Sequence, residues 1–205
     1  EARAATGHAV VDALVAVHAV DWRTAGIPAS DPDAYLARQI RRFASLWEVN
    51  ATRELPLVQE LAVHLERERP SSPPATVVHG DYRLDNLILG AEPPVRVVAV
   101  LDWEMATVGD PLADLGYLVA TWGGGASEET PLSLSPVTRM PGFVSRDELA
   151  AAYGERTGLS PAALPWYEAL ALWKAAVFCE MSTGRRKLAN ELFFTTKSPD
   201  CTNSA

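Results

Sequence analysis

The chain has 205 residues, 48% hydrophobic and 21% charged, with 18 Lys plus Arg against 26 Asp plus Glu and a net charge of −8. That length supports one domain with its own core, and the acidic balance argues against broad binding to nucleic acid, which needs basic patches. Two cysteines, Cys179 and Cys201, give neither a metal spacing nor a disulfide framework, so a reduced, cytoplasmic setting is expected.

No signal-peptide pattern opens the sequence. Its most apolar long stretch, 162–179, carries Pro165, Glu168 and Lys174. Those charges favour a buried amphipathic helix over a membrane span.

Residues 4–20 place Val10, Val11, Leu14, Val15 and His18 on one helical face. A second helix is predicted after Ser30-Asp31-Pro32, where Asp31 can cap and Pro32 suits the first turn. It runs to about Val49. A third fits 53–69, with Leu57, Leu61 and Leu65 repeating every four residues. The run 70–74 (PSSPP) breaks this pattern. Short β-branched stretches at 76–79, 86–89 and 95–101 then read as strands. The stretch 90–94 (GAEPP) is the expected hairpin turn between the second and third.

Helical character returns at 111–121. A long polar, Pro/Gly-rich loop follows over 123–142, a length often tied to function. Ser145 with Glu148 is a capping-box signature for a helix over 146–157. Ser160-Pro161 opens a last helix to about Thr183, and the tail from Lys197 is expected to be disordered. No internal repeat is visible. The expected fold class is α+β, mostly helical, with a small β-hairpin layer carrying polar loops at strand ends, where sites tend to be built.

Two such loops draw the eye. The first interrupts V77-V78-H79-G80-D81-Y82-R83-L84-D85-N86-L87-I88-L89. The second follows the next strand, in V98-A99-V100-L101-D102-W103-E104. Polar groups between buried strands must find partners or cost stability. A carboxylate and an amide five residues apart, with another carboxylate after a neighbouring strand, form an oxygen-rich set. Hard cations such as Mg²⁺ take oxygen ligands, few from protein and the rest from phosphate and water. A further carboxylate free of metal can take a proton from an attacking hydroxyl.

The pattern H-G-D-x-x-x-x-N followed by L-D-W-E resembles the protein-kinase pair H-R-D-x-x-x-x-N and D-F-G. With Gly80 in place of Arg, it is similar to the aminoglycoside phosphotransferase and choline kinase group. The longer string HGDYRLDNLIL…VLDWEMATVGDPLADLGYL resembles a branch that includes phosphotransferase-like domains associated with acyl-CoA dehydrogenases. LVAVHAVDW and ALALWKAAVFCE extend the resemblance over most of 8–184.

The resemblance implies a kinase-like fold and an ATP- and Mg²⁺-dependent transfer to a small-molecule hydroxyl. It implies that Asp81 is the catalytic base. Asn86 and Asp102 are the implied Mg²⁺ ligands. Arg83 stands where protein kinases often carry a Lys that neutralises the transferring phosphoryl. His79 would brace the loop, and Asp114 would hold it in shape from a helix start. Substrate choice would fall to the 123–142 loop and the helices after 145.

The family's small N-terminal lobe, with its phosphate-covering loop and its Lys–Glu pair, has no counterpart upstream of His79. Lys174 and Lys187 lie downstream and in no strand pattern. The chain therefore reads as a C-terminal lobe over 1–196 with a tail over 197–205, and the residues that hold the nucleotide are not legible. Apolar surface at the absent interface would favour self-association.

Each residue also has a plainer reading. His-Gly-Asp alone is ordinary turn chemistry. Asp85 is read as a loop hydrogen-bonder, and Glu104 as either a water-mediated metal contact or a structural hydrogen bond. Asp110 is read as a helix cap, His18 as a core histidine, and His8 and His64 as surface residues. Trp103, Trp122, Trp166 and Trp173 are expected to pack. Glu128 and Glu129 are read as a contact for a cationic substrate or as a solvated pair, with the solvated pair expected. Two other functions compete: a non-catalytic, kinase-derived binding module, and a metal-dependent hydrolase, which would need a further metal-ligand cluster.

Overall fold

A computed structural model describes residues 2–24, 26–27, 31–123 and 136–195. The elements are α1 (Ala2–His18), α2 (Pro32–Asn50), α3 (Pro56–Arg67), β1 (Thr76–Val78), β2 (Leu87–Leu89), β3 (Val97–Val100), β4 (Thr107–Gly109), α4 (Leu112–Thr121), α5 (Arg146–Thr157) and α6 (Leu164–Thr195). Single 3₁₀ turns at Leu84–Asn86 and Trp103–Met105 lie within the two polar loops.

The order follows the sequence pattern with two corrections. The first is β4, which no expectation included. Three residues, Thr107-Val108-Gly109, are too few to show alternation. Its pairing is also unexpected: β1 runs antiparallel to β4, with Val78 opposite Thr107, while β2 and β3 form their own antiparallel hairpin. The pairing has a consequence for the loops. The chain leaves β1 into the first polar loop and returns from the second directly into β4, so both loops are gathered at one end of that pair.

The second correction is α6. It continues to Thr195 rather than ending near Thr183. Gly184 alone does not stop a helix, since it costs only about 1 kcal/mol relative to Ala. The residues after it include Arg, Lys, Leu and Ala, all good helix formers. The expected tail over 197–205 lies outside the described residues, as does 124–135 of the long loop. No helix among the described residues is long and apolar enough to cross a membrane.

The core joins all the helices. Val10, Val11 and Leu14 of α1, Leu36 and Phe43 of α2, Leu115 and Leu118 of α4, Leu149 and Tyr153 of α5, and Tyr167 and Val177 of α6 are all buried. Gly116 lets α4 approach α6 closely, because a Cβ there would lie 2.4 Å from Tyr167 Cβ. Indole N–H groups tie α6 to α3: Trp173 Nε1 donates to the Val58 carbonyl at 2.9 Å, and Trp166 Nε1 to the Leu65 carbonyl at 3.2 Å. Glu180 accepts the Thr52 amide at 2.9 Å and pairs with Arg53 at 3.2 Å. The segment between α2 and α3 is thereby fastened to α6.

The expected capping box is formed. Ser145 Oγ accepts the Glu148 amide, and Glu148 Oε2 accepts the Ser145 amide at 2.6 Å. Trp122 and Trp173 are buried, and His18 is buried while His8 and His64 are exposed. Trp103 departs from its packing expectation. Its ring lies 4.8 Å from that of His79, yet it stays 44% exposed. Ile88, Val98 and Leu101 are also exposed along β2, β3 and the turn after them.

Candidate active site

The first loop is built around a glycine. Gly80 has φ +85°, and a Cβ there would meet the Met105 carbonyl at 2.8 Å. The left-handed backbone and the close approach of the second loop both demand glycine. The two loops are therefore in backbone contact.

Asp114 fixes the first loop from α4. Its Oδ2 accepts the His79 amide at 2.6 Å and its Oδ1 the Gly80 amide at 2.8 Å. His18 Nε2 lies 3.2 Å from Oδ2, and His18 Nδ1 is 2.7 Å from the Tyr153 hydroxyl. Every partner here is a donor, which is how a fully buried carboxylate is kept affordable. Asp110 has the expected capping bond, accepting the Leu112 amide at 2.8 Å, and its second oxygen accepts the Tyr167 hydroxyl at 2.7 Å.

His79 joins the loops. Its Nδ1 accepts the Asp81 amide at 3.2 Å, so the proton sits on Nε2, which donates to the Leu101 carbonyl at 2.8 Å. Leu101 in turn donates its amide to the Asn86 carbonyl at 2.8 Å. Asp102, the next residue, is thus anchored beside Asn86 through its neighbour's backbone.

Asp81 and Asn86 meet directly. Asn86 Nδ2 donates to the Asp81 carboxylate and to its backbone carbonyl, both at 2.8 Å. With Nδ2 so used, Oδ1 of Asn86 remains as an oxygen donor. Arg83 Nε lies 3.6 Å from Asp81 Oδ1, and Arg83 also pairs with Asp85 at 3.2 Å. The Tyr117 side chain lines the cavity beside Asp81. Burial, and then the Asp81 carboxylate, push the Tyr117 phenol well above its usual range, so it keeps its proton.

Asp102 stands apart from this network. It is exposed, and it makes no hydrogen bond or ion pair among the described residues. Its backbone is left-handed, φ 64° and ψ 59°, the one non-glycine residue of positive φ among them. Such a conformation costs about 1 kcal/mol or more for an L residue.

A cavity of about 830 Å³ opens at Asp81. Its walls come from α2, the segment before α3, α4 and α6, with Gly80, Arg83, Glu104 and Met105 at the loop end. Sequence reasoning assigned such a wall to the 123–142 loop and the helices after 145. The structure supplies it from α6 but also from α2, through Arg42 and Trp47, and from 53–58. Glu128 and Glu129 lie outside the described residues. Tyr117 was missed, although it sits three residues after Asp114 on the same helix and so on the same face. Lys174, read in the sequence as a charge of an amphipathic helix lying in no strand pattern, lines the cavity.

Among the described residues, no group of three or more His, Cys, Asp or Glu side chains is arranged to hold a metal ion.

A helical body with two small antiparallel sheets, whose loops converge on one carboxylate, is a kinase-like architecture. A Ralstonia eutropha protein assigned as an aminoglycoside phosphotransferase superposes with a TM-score of 0.75 at 29% identity, over 89% of this chain and 56% of that one. A macrolide 2'-phosphotransferase type I shares the fold at a TM-score of 0.61 and 19% identity, over 91% of this chain and 59% of the other. The chain belongs to the phosphotransferase enzyme family, whose profile matches residues 1–170. Among curated proteins it is 29% identical to rat acyl-CoA dehydrogenase family member 11 over 192 residues, 92% of this chain and 24% of that protein. It is 38% identical to mouse acyl-CoA dehydrogenase family member 10 over 109 residues, 51% of this chain and 10% of the relative. The chain thus spans a quarter or less of the length of these two relatives.

Proposed function

We propose that this chain carries the acceptor-side machinery of an ATP- and Mg²⁺-dependent phosphotransferase acting on a small-molecule hydroxyl. One observation carries the reading: Asp81 lies between a large cavity and a pair of loops bearing otherwise uncommitted oxygen donors.

Asp81 has the position and partners of a general base. Asn86 donates to its carboxylate and fixes its orientation, while one face stays open to the cavity that Tyr117 also lines. A hydroxyl entering there would lose its proton to Asp81 as its oxygen bonds to the γ-phosphorus and the bond from phosphorus to the bridging oxygen breaks. Such transfer asks little covalent help of a protein; it asks for alignment and charge neutralisation. Arg83, beside Asp81, supplies a fixed positive charge at that point.

The donor set fits a hard cation. Asn86 Oδ1 and the Asp102 carboxylate are both oxygen, and the strained backbone of Asp102 is the kind of cost retained at functional positions. These two residues would hold Mg²⁺, which supplies charge neutralisation on the nucleotide phosphates. His79 and Asp114 are positioning residues: His79 sets the spacing of the loops, and Asp114 pins the backbone before Asp81.

The test is Asp81→Asn in the full-length protein. Phosphoryl transfer should fall by at least about a thousandfold, given what a general base and its alignment contribute, with the unfolding curve unchanged. Undiminished turnover would overturn the reading and favour a kinase-derived binding module.

A further inference from the structure

The buried bonds behind the first loop do not end at Asp114. His18 Nε2 lies 3.2 Å from Asp114 Oδ2, and its Nδ1 lies 2.7 Å from the Tyr153 hydroxyl. Tyr153 belongs to α5, far in sequence from the loop, and is 1% exposed. Its ring stands edge-on to the His18 ring, with centroids 5.7 Å apart. Neither residue is among those lining the cavity, so neither touches an acceptor there.

The bonds themselves place the protons. Asp114 already accepts a backbone amide at each oxygen, so its carboxylate acts as acceptor throughout. His18 Nε2 therefore carries a proton and donates to it. Burial, then Asp114 and Asp110, push the Tyr153 phenol well above its usual range, so the hydroxyl keeps its proton. Among the described residues, His18 Nδ1 is the acceptor within its reach. Were Nδ1 protonated instead, the hydroxyl would have to accept. Its own proton would then be buried and unpaired, which is unfavourable. The hydroxyl thus selects the Nε2–H tautomer, the neutral form of the ring that can donate to Asp114.

We propose that Tyr153 is a positioning residue for Asp81, acting through His18: by holding that ring in its Nε2–H tautomer it completes the set of donors around Asp114, which pins the backbone before Asp81. The proposal rests on Asp81 being the base of the transfer. Without the hydroxyl, Nδ1 has no donor in a buried site. The ring can then adopt the other tautomer or turn over, and either change takes the donor away from Asp114. The His79 and Gly80 amides lose a fixed acceptor, and Asp81 shifts with them. Small displacements of a reacting group lower the rate steeply.

Tyr153→Phe keeps the ring and its edge contact and removes the hydroxyl alone. The full-length protein, labelled with ¹⁵N in its histidines, is compared with this variant by NMR. The wild type should show His18 in the Nε2–H tautomer alone, with Nδ1 unprotonated; in Tyr153→Phe the pattern should become mixed. Exchange of the His79 and Gly80 amides should quicken by about tenfold, the scale of one lost hydrogen bond, while core amides of α2 and α6 keep the wild-type rate. Hydrolysis of Mg²⁺·ATP, with water as the acceptor, should show kcat lower by about tenfold and KM for ATP unchanged. In a His18→Gln background, where there is no tautomer to select, the further Tyr153→Phe change should leave kcat alone.

A wild-type His18 carrying its proton on Nδ1 overturns the proposal, and that measurement needs no variant. So does a Tyr153→Phe protein with the wild-type tautomer, or with unchanged exchange at His79 and Gly80. Exchange that quickens equally throughout the core would make Tyr153 a packing residue only, which also overturns it. Tautomer and exchange are read without turnover, so their failure is distinct from a failure of Asp81 as base, which Asp81→Asn tests.

Discussion

The Asp114 carboxylate accepts the His79 amide at 2.6 Å, and through its other oxygen the Gly80 amide at 2.8 Å. A single buried side chain on α4 thus sets the backbone that presents Asp81. Asp114→Ala leaves two amides and the His18 ring without their acceptor, and each buried unpaired group costs about 1–3 kcal/mol. A loss of roughly 3–5 kcal/mol in unfolding free energy is expected in a urea titration. Asp114→Asn, which retains one carbonyl acceptor, should fall in between. An Ala variant as stable as the wild type would show that the loop holds its shape by other means.

Gly80 offers a sharper probe of the contact between the loops. In Gly80→Ala the new methyl group meets the Met105 carbonyl at 2.8 Å, and the left-handed backbone adds its own penalty. A destabilisation of about 1–3 kcal/mol is expected. Turnover should fall further than stability, because the strain separates Asp81 from the loop that carries Asp102. Comparing kcat with the urea midpoint for the same variant checks this.

Much of this site was legible in the sequence, and the reasons are local. H-G-D-x-x-x-x-N fixes Asp81 and Asn86 within one loop, and their direct hydrogen bond follows from that short spacing. Gly80 could be read as a turn residue, yet its contact with Met105 could not. That contact depends on the β1–β4 pairing, and β4 is too short to announce itself by alternation. The cavity was the least legible part. Arg42, Trp47 and Lys174 lie far apart in sequence, and each alone reads as an ordinary helix residue. Only the packing of α2 against α6 brings them to Asp81. Tyr117 was within reach, since helical spacing from Asp114 points to it.

Lys174 should leave a mark on stability. Its amine is lowered from 10.5 to about 8 in the folded chain. Between those values the unfolded chain holds the extra proton, so the folded state gains stability as pH rises through this window. Lys174→Met removes the group, and with it that rise. The charged, desolvated ammonium is also gone at neutral pH, so the variant should melt higher there. Arg42, Asp114 and Asp81 face the amine, so the comparison is made at constant ionic strength. Melting temperatures of both proteins from about pH 7 to about pH 11 provide the check. A parallel pair of curves would mean that Lys174 is solvated in the folded protein.

Ser145→Ala supplies a structural contrast. It removes the Oγ that accepts the Glu148 amide at the start of α5. A loss of about 1 kcal/mol is expected, with kcat and KM unchanged, because Ser145 lies outside the two loops and the cavity. Denaturation and steady-state kinetics on the same preparation would separate the two effects.

The reading of the two loops as one phosphotransfer site is tested most directly by titrating Mg²⁺·ATP calorimetrically into the chain and into Asp102→Ala. Asp102 makes no internal bond among the described residues, so its removal should leave the fold intact. The expected result is binding by the wild type that requires Mg²⁺ and is lost in the variant. Equal binding by the two proteins, or binding indifferent to Mg²⁺, would contradict the assignment of Asn86 and Asp102 as the metal-holding pair.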